Sequence, residues 1–302
     1  MTVQYAIEGH NIRKQMKGFC LDVENLAIPK GFATALIGEN GAGKTTLLNI
    51  LAGIRLDYKG ELTYFGKYSD IEKEKSADVK NRIGYTGTGK YYLPQWNAKD
   101  IEEISSLLFE DFSREEFHRY CTELAIFSGK GNDVKKPNSS YSDGMKVKLM
   151  LAGVMARKTD LLLLDEPASP LDPLMRDKLC QMIREYITEG NGERSVFFST
   201  HNISDMENVT DYAIIMEQGK IVEQGFVEDL KEKYILVKGD AADTHKAKEI
   251  LYTITENPYG FEGICLAENL DKLAGMNVTK EIASLYQISV AVMKRNTKIV
   301  MR

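Results

Sequence analysis

The sequence predicts an α/β protein in which a phosphate-binding loop joins a buried strand to a helix. The loop, Gly38–Thr46, fits the pattern G-x-x-x-x-G-K-[ST]. Residues 33–37 before it are mostly apolar and typical of a short buried strand, and residues 46–52 after it have the apolar spacing of a helix. The run Leu161–Leu164 is too short for a helix of its own and is typical of a strand buried on both faces, as parallel sheets require. The loop and this strand together predict a core sheet with flanking helices.

The residue types in the loop suit a bound phosphate. A glycine-rich turn between a strand and a helix aims backbone N–H groups and the positive end of the helix dipole at one point. Gly41 and Gly43 let the backbone approach a phosphate with no Cβ in the way. Lys44 is placed to reach the β- and γ-phosphates, and the hydroxyl of Thr45 to bind Mg²⁺. A loop that binds nothing is disfavoured, because the motif and its neighbours agree. The predicted phosphate-binding residues are Gly38, Asn40, Gly41, Ala42, Gly43, Lys44, Thr45 and Thr46.

Composition narrows the class of protein. The chain has 302 residues, of which 43% are hydrophobic, so a disordered protein is excluded. A net charge of −5 argues against binding to nucleic acid through a basic surface. The four cysteines form no C-x-x-C pair, which is typical of reduced thiols rather than of disulfides or a zinc site. No basic stretch precedes an apolar core at the N-terminus and no apolar run approaches 18 residues, so we expect neither a signal peptide nor a membrane span.

The segments around the loop predict an antiparallel layer followed by a helical subdomain at about residues 90–155. The layer is formed by Val3–Ile12, Phe19–Ile28 and Glu61–Phe65. In the subdomain, Asn97 or Asp100 is placed to cap one helix, and Ser113 with Glu116 forms a capping box for the next. The predicted helices of the subdomain span Ile101–Phe109, Phe117–Phe127 and Lys146–Met155.

Alternating strands and helices continue after Leu164, and the pattern changes at about residue 229. Asp172 and Pro173 start a helix that is expected to end near Glu189. The elements predicted next are a strand over Ser195–Ser199, a short helix over Ile203–Val209 and strands over Ala213–Met216 and Lys220–Glu223. Residues 229–302 predict a small α+β domain with strands over Tyr234–Lys238, Gly263–Ala267 and Lys298–Met301 and helices over Ala247–Ile254 and Lys280–Met293.

Three further stretches carry chemistry. Asp165 and Glu166 follow the leucine strand, where an aspartate helps to hold Mg²⁺ in nucleotide hydrolases and a neighbouring glutamate can polarise the attacking water. His201 comes directly after another predicted core strand. Residues 139–145 open a helix whose N-terminus is a second candidate anion site.

With these motifs in this order, the chain resembles an ABC ATPase, the nucleotide-binding subunit of an ABC transporter. The resemblance spans about residues 3–228. The motifs that carry it are Gly38–Thr46 (Walker A), Tyr141–Met145 (signature), Leu161–Glu166 (Walker B), Ser169–Asp172 (D-loop) and His201 (switch histidine). It implies a P-loop NTPase fold with a mixed core sheet, an antiparallel layer and a helical subdomain.

The resemblance also implies roles for individual residues. In the family, two cassettes pair head to tail, with ATP between the Walker A loop of one and the signature of the other. Asp165 then supports Mg²⁺, Glu166 activates water and His201 contacts the γ-phosphate. The residues that reach the partner's nucleotide are Ser142, Asp143 and Gly144. Asp172 is either only a helix cap or also part of the dimer seam.

The chain departs from the family pattern at three places. The aromatic residue that stacks on adenine is replaced by Met16, with Phe19 as the second candidate. No glutamine stands in the Q-loop, where Thr88 is the candidate to reach Mg²⁺ and Gln95 comes too late to align. The signature has Asp143 and Met145 where glycine and glutamine are common, which resembles the ABC-2 type branch of bacitracin- and lantibiotic-type exporters.

The leading prediction is therefore an ATP- and Mg²⁺-dependent ATPase with a domain over 1–228 and a C-terminal domain of unknown role over 229–302. Its expected partners are a second ATPase subunit, as a homodimer or heterodimer, and an integral-membrane permease at the cytoplasmic face of the membrane, with no nucleic acid. The alternatives are a soluble ABC protein of ribosomes or DNA and a weakly hydrolysing regulator. Residues 91–96, with three aromatics and a proline, are predicted to be either a local core or a docking groove for the permease.

Overall fold

Three β-sheets carry the fold over the residues that the computed structural model describes, which are 3–70, 72, 77–87, 91–126 and 135–296. In chain order the strands are β1 (Tyr5–Met16), β2 (Phe19–Pro29), β3 (Ala33–Ile37), β4 (Lys59–Tyr64), β5 (Tyr68–Ser69), β6 (Ile83–Thr86), β7 (Leu161–Leu164), β8 (Ser195–Thr200), β9 (Tyr212–Glu217), β10 (Lys220–Phe226), β11 (Tyr234–Asp240), β12 (Thr253–Asn257), β13 (Gly260–Leu266) and β14 (Val278–Ile282).

The helices connect and cover these sheets. They are α1 (Lys44–Leu51), α2 (Ala77–Asn81), α3 (Ala98–Leu108), α4 (Arg114–Glu123), α5 (Asp143–Met155), α6 (Pro173–Glu189), α7 (Val227–Lys233), α8 (Thr244–Ile250) and α9 (Leu285–Asn296). None of the described helices is both long enough and apolar enough to cross a bilayer.

The core sheet has the strand order β10-β9-β3-β8-β7-β6 and is parallel except for β10, which runs antiparallel to β9 at one edge. This is the predicted mixed sheet. The four leucines of β7 are fully buried and divide between two cores. Leu162 and Leu164 pack with the helical side, whereas Leu161 and Leu163 pack with α1 and the N-terminal sheet. Burial on both faces explains why the strand is a continuous apolar run.

The predicted antiparallel layer is confirmed as a sheet with the order β2-β1-β4-β5. Helices α3, α4 and α5 are also present, although α4 ends at Glu123 rather than at the predicted Phe127 and one cap differs from its prediction. Asn97 and Asp100 act together, as a reciprocal capping box for α3. Ser113 caps α4 by accepting a hydrogen bond from the Glu116 amide, but its own N–H donates to the Ala156 carbonyl. The predicted hydrogen bond from the Ser113 N–H to the Glu116 side chain is therefore wrong, because this N–H is bonded to Ala156 instead. Phe127, the predicted end of this helix, lies outside the described residues.

The C-terminal region holds two strands that the sequence prediction missed. Its sheet has the order β12-β13-β11-β14 and is antiparallel throughout. The predicted helix over Ala247–Ile254 ends at Ile250, and the predicted helix over Lys280–Met293 begins only at Leu285. Both missed strands are sheet edges with mostly exposed side chains, so they lack the apolar alternation that marks a half-buried strand. The predicted strand over 298–301 lies outside the described residues.

The segment predicted as a short helix over Ile203–Val209 forms two 3₁₀ turns, Ile203–Asp205 and Glu207–Val209. Ile203 and Met206 are buried in the same core as Leu285 and Ile288 of α9. The C-terminal helix therefore packs directly on the chain that follows His201.

Candidate functional site

The predicted site residues meet at one edge of the core sheet. Strands β3, β8, β7 and β6 are parallel neighbours, so their carboxyl ends lie side by side. The phosphate-binding loop follows β3, His201 follows β8, Asp165 follows β7 and Gly87 follows β6. Ligands of open α/β sheets bind beyond the carboxyl ends of the strands.

The loop presents an uncapped helix start. Gly43 has a φ of 107° at the N-cap of α1 and makes no side-chain capping hydrogen bond to the first turn. A Cβ on Gly43 would lie 2.8 Å from the ring of Phe19, so glycine is required there both for its backbone angle and for the space. The Lys44 ammonium is buried and donates to the carbonyls of Gly38 at 2.8 Å and Glu39 at 3.2 Å. Free amides, a helix dipole and a lysine thus converge on one point, as a bound polyphosphate requires.

A chain of hydrogen bonds connects the loop with the end of β7. The Thr45 hydroxyl donates to Asp165 Oδ2 at 2.8 Å, and the Ser199 hydroxyl donates to Asp165 Oδ1 at 2.6 Å. Ser199 also accepts a hydrogen bond from the Glu166 amide at 2.9 Å. Ser199 was missed by the sequence analysis, although it stands two residues before His201 at the end of a predicted strand. Its hydroxyl thus holds the carboxylate of Asp165 and the backbone of Glu166.

Glu166 lies at the centre of the site. Its Oε1 is 3.3 Å from the Lys44 ammonium and its Oε2 is 2.8 Å from His201 Nδ1. The backbone of Glu166 has a φ of 49°, a left-handed conformation that costs a residue with a Cβ about 1–3 kcal/mol. The hydrogen bond from its amide to Ser199 is one contact that holds this conformation. The structure therefore brings together a lysine, a glutamate and a histidine that lie far apart in the sequence.

The end of β6 contributes a tyrosine that sequence reasoning did not single out. The Tyr85 hydroxyl donates to Asn49 Oδ1 of α1 at 2.8 Å. Burial raises the pKa of this phenol to about 12, with a smaller contribution from the charge of Asp165. A Cβ on Gly87 would come within 2.4 Å of the Tyr85 hydroxyl, so the chain turns closely over the ring. Thr88, the predicted Q-loop candidate, lies outside the described residues.

The signature residues open helix α5. Ser142 is the N-cap and accepts a hydrogen bond from the Met145 amide at 3.3 Å. Asp143 is exposed and pairs with Lys146 at 3.0 Å. A Cβ on Gly144 would lie 2.8 Å from the Pro170 carbonyl, so glycine lets the helix start approach the D-loop. Asp172 caps α6 by accepting from the Met175 amide at 3.1 Å, which confirms its structural role; its role at a dimer seam stays a prediction.

Comparison with known proteins decides the family. Residues 21–169 match the family model described as ABC transporter. Residues 21–169 of this chain therefore form an ABC transporter domain. It is 34% identical over 199 residues to an uncharacterized ABC transporter ATP-binding protein, YxlF, of Bacillus subtilis, with 66% of this chain and 63% of that protein aligned. It is 29% identical over 258 residues to an uncharacterized ABC transporter ATP-binding protein of Nostoc sp., covering 84% of this chain and 75% of that protein. It is 28% identical over 255 residues to the bacitracin transport ATP-binding protein BcrA of Enterococcus faecalis, covering 83% and 79%.

Solved structures agree on the fold of this ABC protein. An ATP-binding subunit of an ABC transporter superposes with a TM-score of 0.63 at 21% identity, covering 75% of this chain and 92% of that one. A dimeric, post-hydrolysis form of the cassette MJ0796 with ADP and phosphate superposes with a TM-score of 0.59 at 21% identity, covering 73% and 98%. The predicted P-loop NTPase fold is confirmed.

The two adenine candidates of this ABC protein occupy the turn between β1 and β2. Met16 and Phe19 are cross-strand partners there. The Phe19 ring lies against Gly43 of the phosphate-binding loop, whereas the sulfur of Met16 accepts a hydrogen bond from Arg55 at 3.8 Å. Of the two candidates, Phe19 is therefore the one that lies against the loop. The adenine contact itself stays a prediction for both.

An open cleft of about 820 Å³ lies between the carboxyl ends of the core strands and the helical subdomain. Glu166 and His201 line one side of it, and Tyr91, Tyr92 and Pro94 line the other. Tyr91 is 41% exposed, whereas Trp96 is half-buried and packs on the main core. Within this segment Tyr91 therefore faces the open cleft and Trp96 packs against the core, and the docking role stays a prediction.

The donor set fits Mg²⁺ bound together with a nucleotide. Among the described residues there is no group of three or more His, Cys, Asp or Glu side chains that could form a metal cage by itself. Asp165 and Thr45 instead present one carboxylate and one hydroxyl beside the loop. Mg²⁺ in nucleotide sites is usually held by one or two carboxylates together with the substrate's phosphates, so this sparse set matches that mode.

Proposed function

We propose that this chain is the ATP-hydrolysing subunit of an ABC transporter, dimerising around two ATP molecules and driving export through a separate membrane subunit. The observation that carries the proposal is the convergence of Lys44, Thr45, Asp165, Glu166 and His201 at one sheet edge. These residues supply the phosphate, magnesium and water contacts of phosphoryl transfer. The similarity to BcrA, named as a bacitracin transport protein, favours export.

In this proposal, the loop amides and Lys44 bind the phosphates of ATP and neutralise the charge that develops on the transferred group. Thr45 and Asp165 would hold a Mg²⁺ ion, which would supply Lewis-acid stabilisation of the phosphoryl charge. The carboxylate of Glu166 orients the attacking water and accepts its proton as a general base. His201 holds one Glu166 oxygen at 2.8 Å and so fixes which way the carboxylate points. Ser199 holds both acidic residues in place through its hydrogen bonds with the Glu166 amide and the Asp165 carboxylate.

Two alternatives differ in what ATP hydrolysis depends on. A soluble ABC protein of ribosomes or DNA would hydrolyse ATP without a membrane subunit. A regulator that lacks the Q-loop glutamine would bind ATP and hydrolyse little. An ATPase assay with and without a co-purifying membrane subunit, reconstituted in vesicles, separates the three. The proposal requires hydrolysis that the membrane subunit increases, and its location is then the cytoplasmic face of the membrane.

The head-to-tail dimer predicts complementation between two inactive variants. Ser142→Arg blocks the signature half of a site and Lys44→Ala blocks the loop half. Mixing the two proteins leaves one composite site with both halves intact. We expect ATP-dependent association, measured by analytical ultracentrifugation, to reappear on mixing although neither variant associates alone. Absence of association at every mixing ratio would contradict the composite site for a homodimer.

The groove predicts a docking residue for the membrane subunit. Because Tyr91 is 41% exposed, Tyr91→Ala should reduce the stability of the isolated subunit by far less than the ~3–5 kcal/mol of a buried aromatic truncation. It should nevertheless lower the stimulation of ATPase activity by the membrane subunit. The Trp96 ring packs on the core, so Trp96→Ala should lower the melting temperature more than Tyr91→Ala does.

A control for this test is Leu107→Ala, since Leu107 is 84% exposed on α3 and does not line the cleft. It should change neither stability nor stimulation. Equal stimulation of the parent, Tyr91→Ala and Leu107→Ala proteins would place the docking site elsewhere.

A further inference from the structure

The C-terminal domain reaches the segment that carries the switch histidine. Residues 201–209 connect the end of β8 with β9 through two 3₁₀ turns. Ile203 and Met206 on this segment are 1% and 0% exposed, and they share one core with Leu285 and Ile288 of α9. The chain after His201 is therefore covered by a helix that lies some 80 residues further along the sequence.

One carboxylate joins these elements. Glu207 Oε1 accepts a hydrogen bond from the Leu285 amide at 2.9 Å and lies 3.1 Å from the Lys231 ammonium of α7. Leu285 is the first residue of α9, so the negative charge stands at the positive end of the helix dipole. The Glu207 side chain is only 20% exposed, which limits competition from water. A residue of the ATPase core thus binds the C-terminal domain through two independent contacts.

The same segment is held on its other side by the core itself. Asp205 pairs with Arg176 of α6 at 2.8 Å and accepts a hydrogen bond from the Asn202 side chain at 3.0 Å. His201 at the start of the segment contacts Glu166 at 2.8 Å. The position of His201 therefore depends on a short segment fixed between α6 and the C-terminal domain.

We propose that Glu207 is a positioning residue for ATP hydrolysis, through which the C-terminal domain holds the segment that carries His201. The inference rests on the proposed function and gives residues 229–296 a role in it. Loss of the Glu207 contact loosens the segment on the side of the C-terminal domain, so that His201 and Glu166 spend less time in the hydrolytic arrangement. The phosphate-binding loop lies between β3 and α1, and within the described part of the chain Glu207 makes no contact with it. The expected signature is a lower kcat with an unchanged KM for ATP.

The test compares Glu207→Ala with two matched variants. Glu207→Gln keeps an oxygen that can accept from the Leu285 amide and should retain most of the activity. Glu223→Ala is the control, because Glu223 of β10 also binds the start of the C-terminal domain, through Lys233 at 2.6 Å and Tyr234 at 2.5 Å, but lies outside the His201 segment. We expect Glu207→Ala to lower kcat at least about fivefold, within the roughly 100-fold that a 1 Å misplacement can cost. Glu223→Ala should keep the parent kcat even if it melts at a lower temperature.

A second measurement reports on His201 without catalysis. The chain has four histidines, so the imidazole NMR signals of the full chain are few, and His201→Gln identifies the one from His201. Glu207→Ala should shift or broaden that signal, whereas Glu223→Ala should leave it unchanged. If Glu207→Ala does not fold, Glu207→Asp replaces it, because its shorter side chain weakens the same contact.

The outcomes separate the inference from the function on which it rests. An unchanged His201 signal and kcat in Glu207→Ala, or equal losses in Glu207→Ala and Glu223→Ala, would overturn the positioning role. A parent protein without ATPase activity would overturn the proposed function, and the His201 signal would then decide the inference alone.

Discussion

Glu166→Gln is expected to lower kcat by roughly 10²–10⁴-fold, the contribution typical of a general base. Glutamine keeps the shape of the side chain but cannot accept a proton from water. One carboxylate oxygen of Glu166 faces Lys44 at 3.3 Å and the other faces His201 at 2.8 Å, so the group is already oriented. The phosphate contacts come from other residues, and ATP binding should therefore stay intact.

The measurement is phosphate release beside equilibrium binding of ATP. Binding without hydrolysis should also trap a dimer, visible as a shift in elution volume on size-exclusion chromatography. Glu262→Gln is the control, since this half-exposed glutamate belongs to the C-terminal sheet. If Glu166→Gln hydrolyses ATP at close to the parent rate, Glu166 is not the base.

Lys44→Ala is expected to act earlier, on ATP binding. It removes a charge-assisted contact to the phosphates from a side chain that is only 6% exposed. At ATP near 100 times the dissociation constant, bound nucleotide stabilises the folded protein by ~2.7 kcal/mol. The parent should therefore melt several degrees higher with Mg-ATP than without it, and Lys44→Ala should show little of this shift.

Thermal unfolding with and without Mg-ATP checks this expectation. Lys248→Ala serves as the matched control, because Lys248 is half-exposed and pairs with Glu256 in the C-terminal domain. It should keep the full ATP-dependent shift. Equal shifts in the parent and in Lys44→Ala would remove Lys44 from the nucleotide site.

The sequence by itself determined the parts of this protein that depend on short stretches of chain. The loop Gly38–Thr46 and the caps Asn97, Ser113 and Asp172 need only residues within a few positions of one another. Burial of β7 on both faces was likewise visible as four consecutive leucines. The order of such motifs was sufficient to predict the family, which the comparisons confirm.

Tertiary structure alone decided the contacts between distant stretches. Ser199 binds Asp165 across 34 positions, and Glu207 binds the Leu285 amide across 78. It also decided the edge strand β14, whose exposed side chains carry little periodic signal and whose hydrogen bonds are made with β11, in pairs such as Ile235 with Ile282. The physical reason is the same in each case. A helix cap or a glycine turn is stabilised by neighbours in sequence, whereas a sheet edge or a bridging serine is stabilised by partners that only the folded chain brings within hydrogen-bond distance.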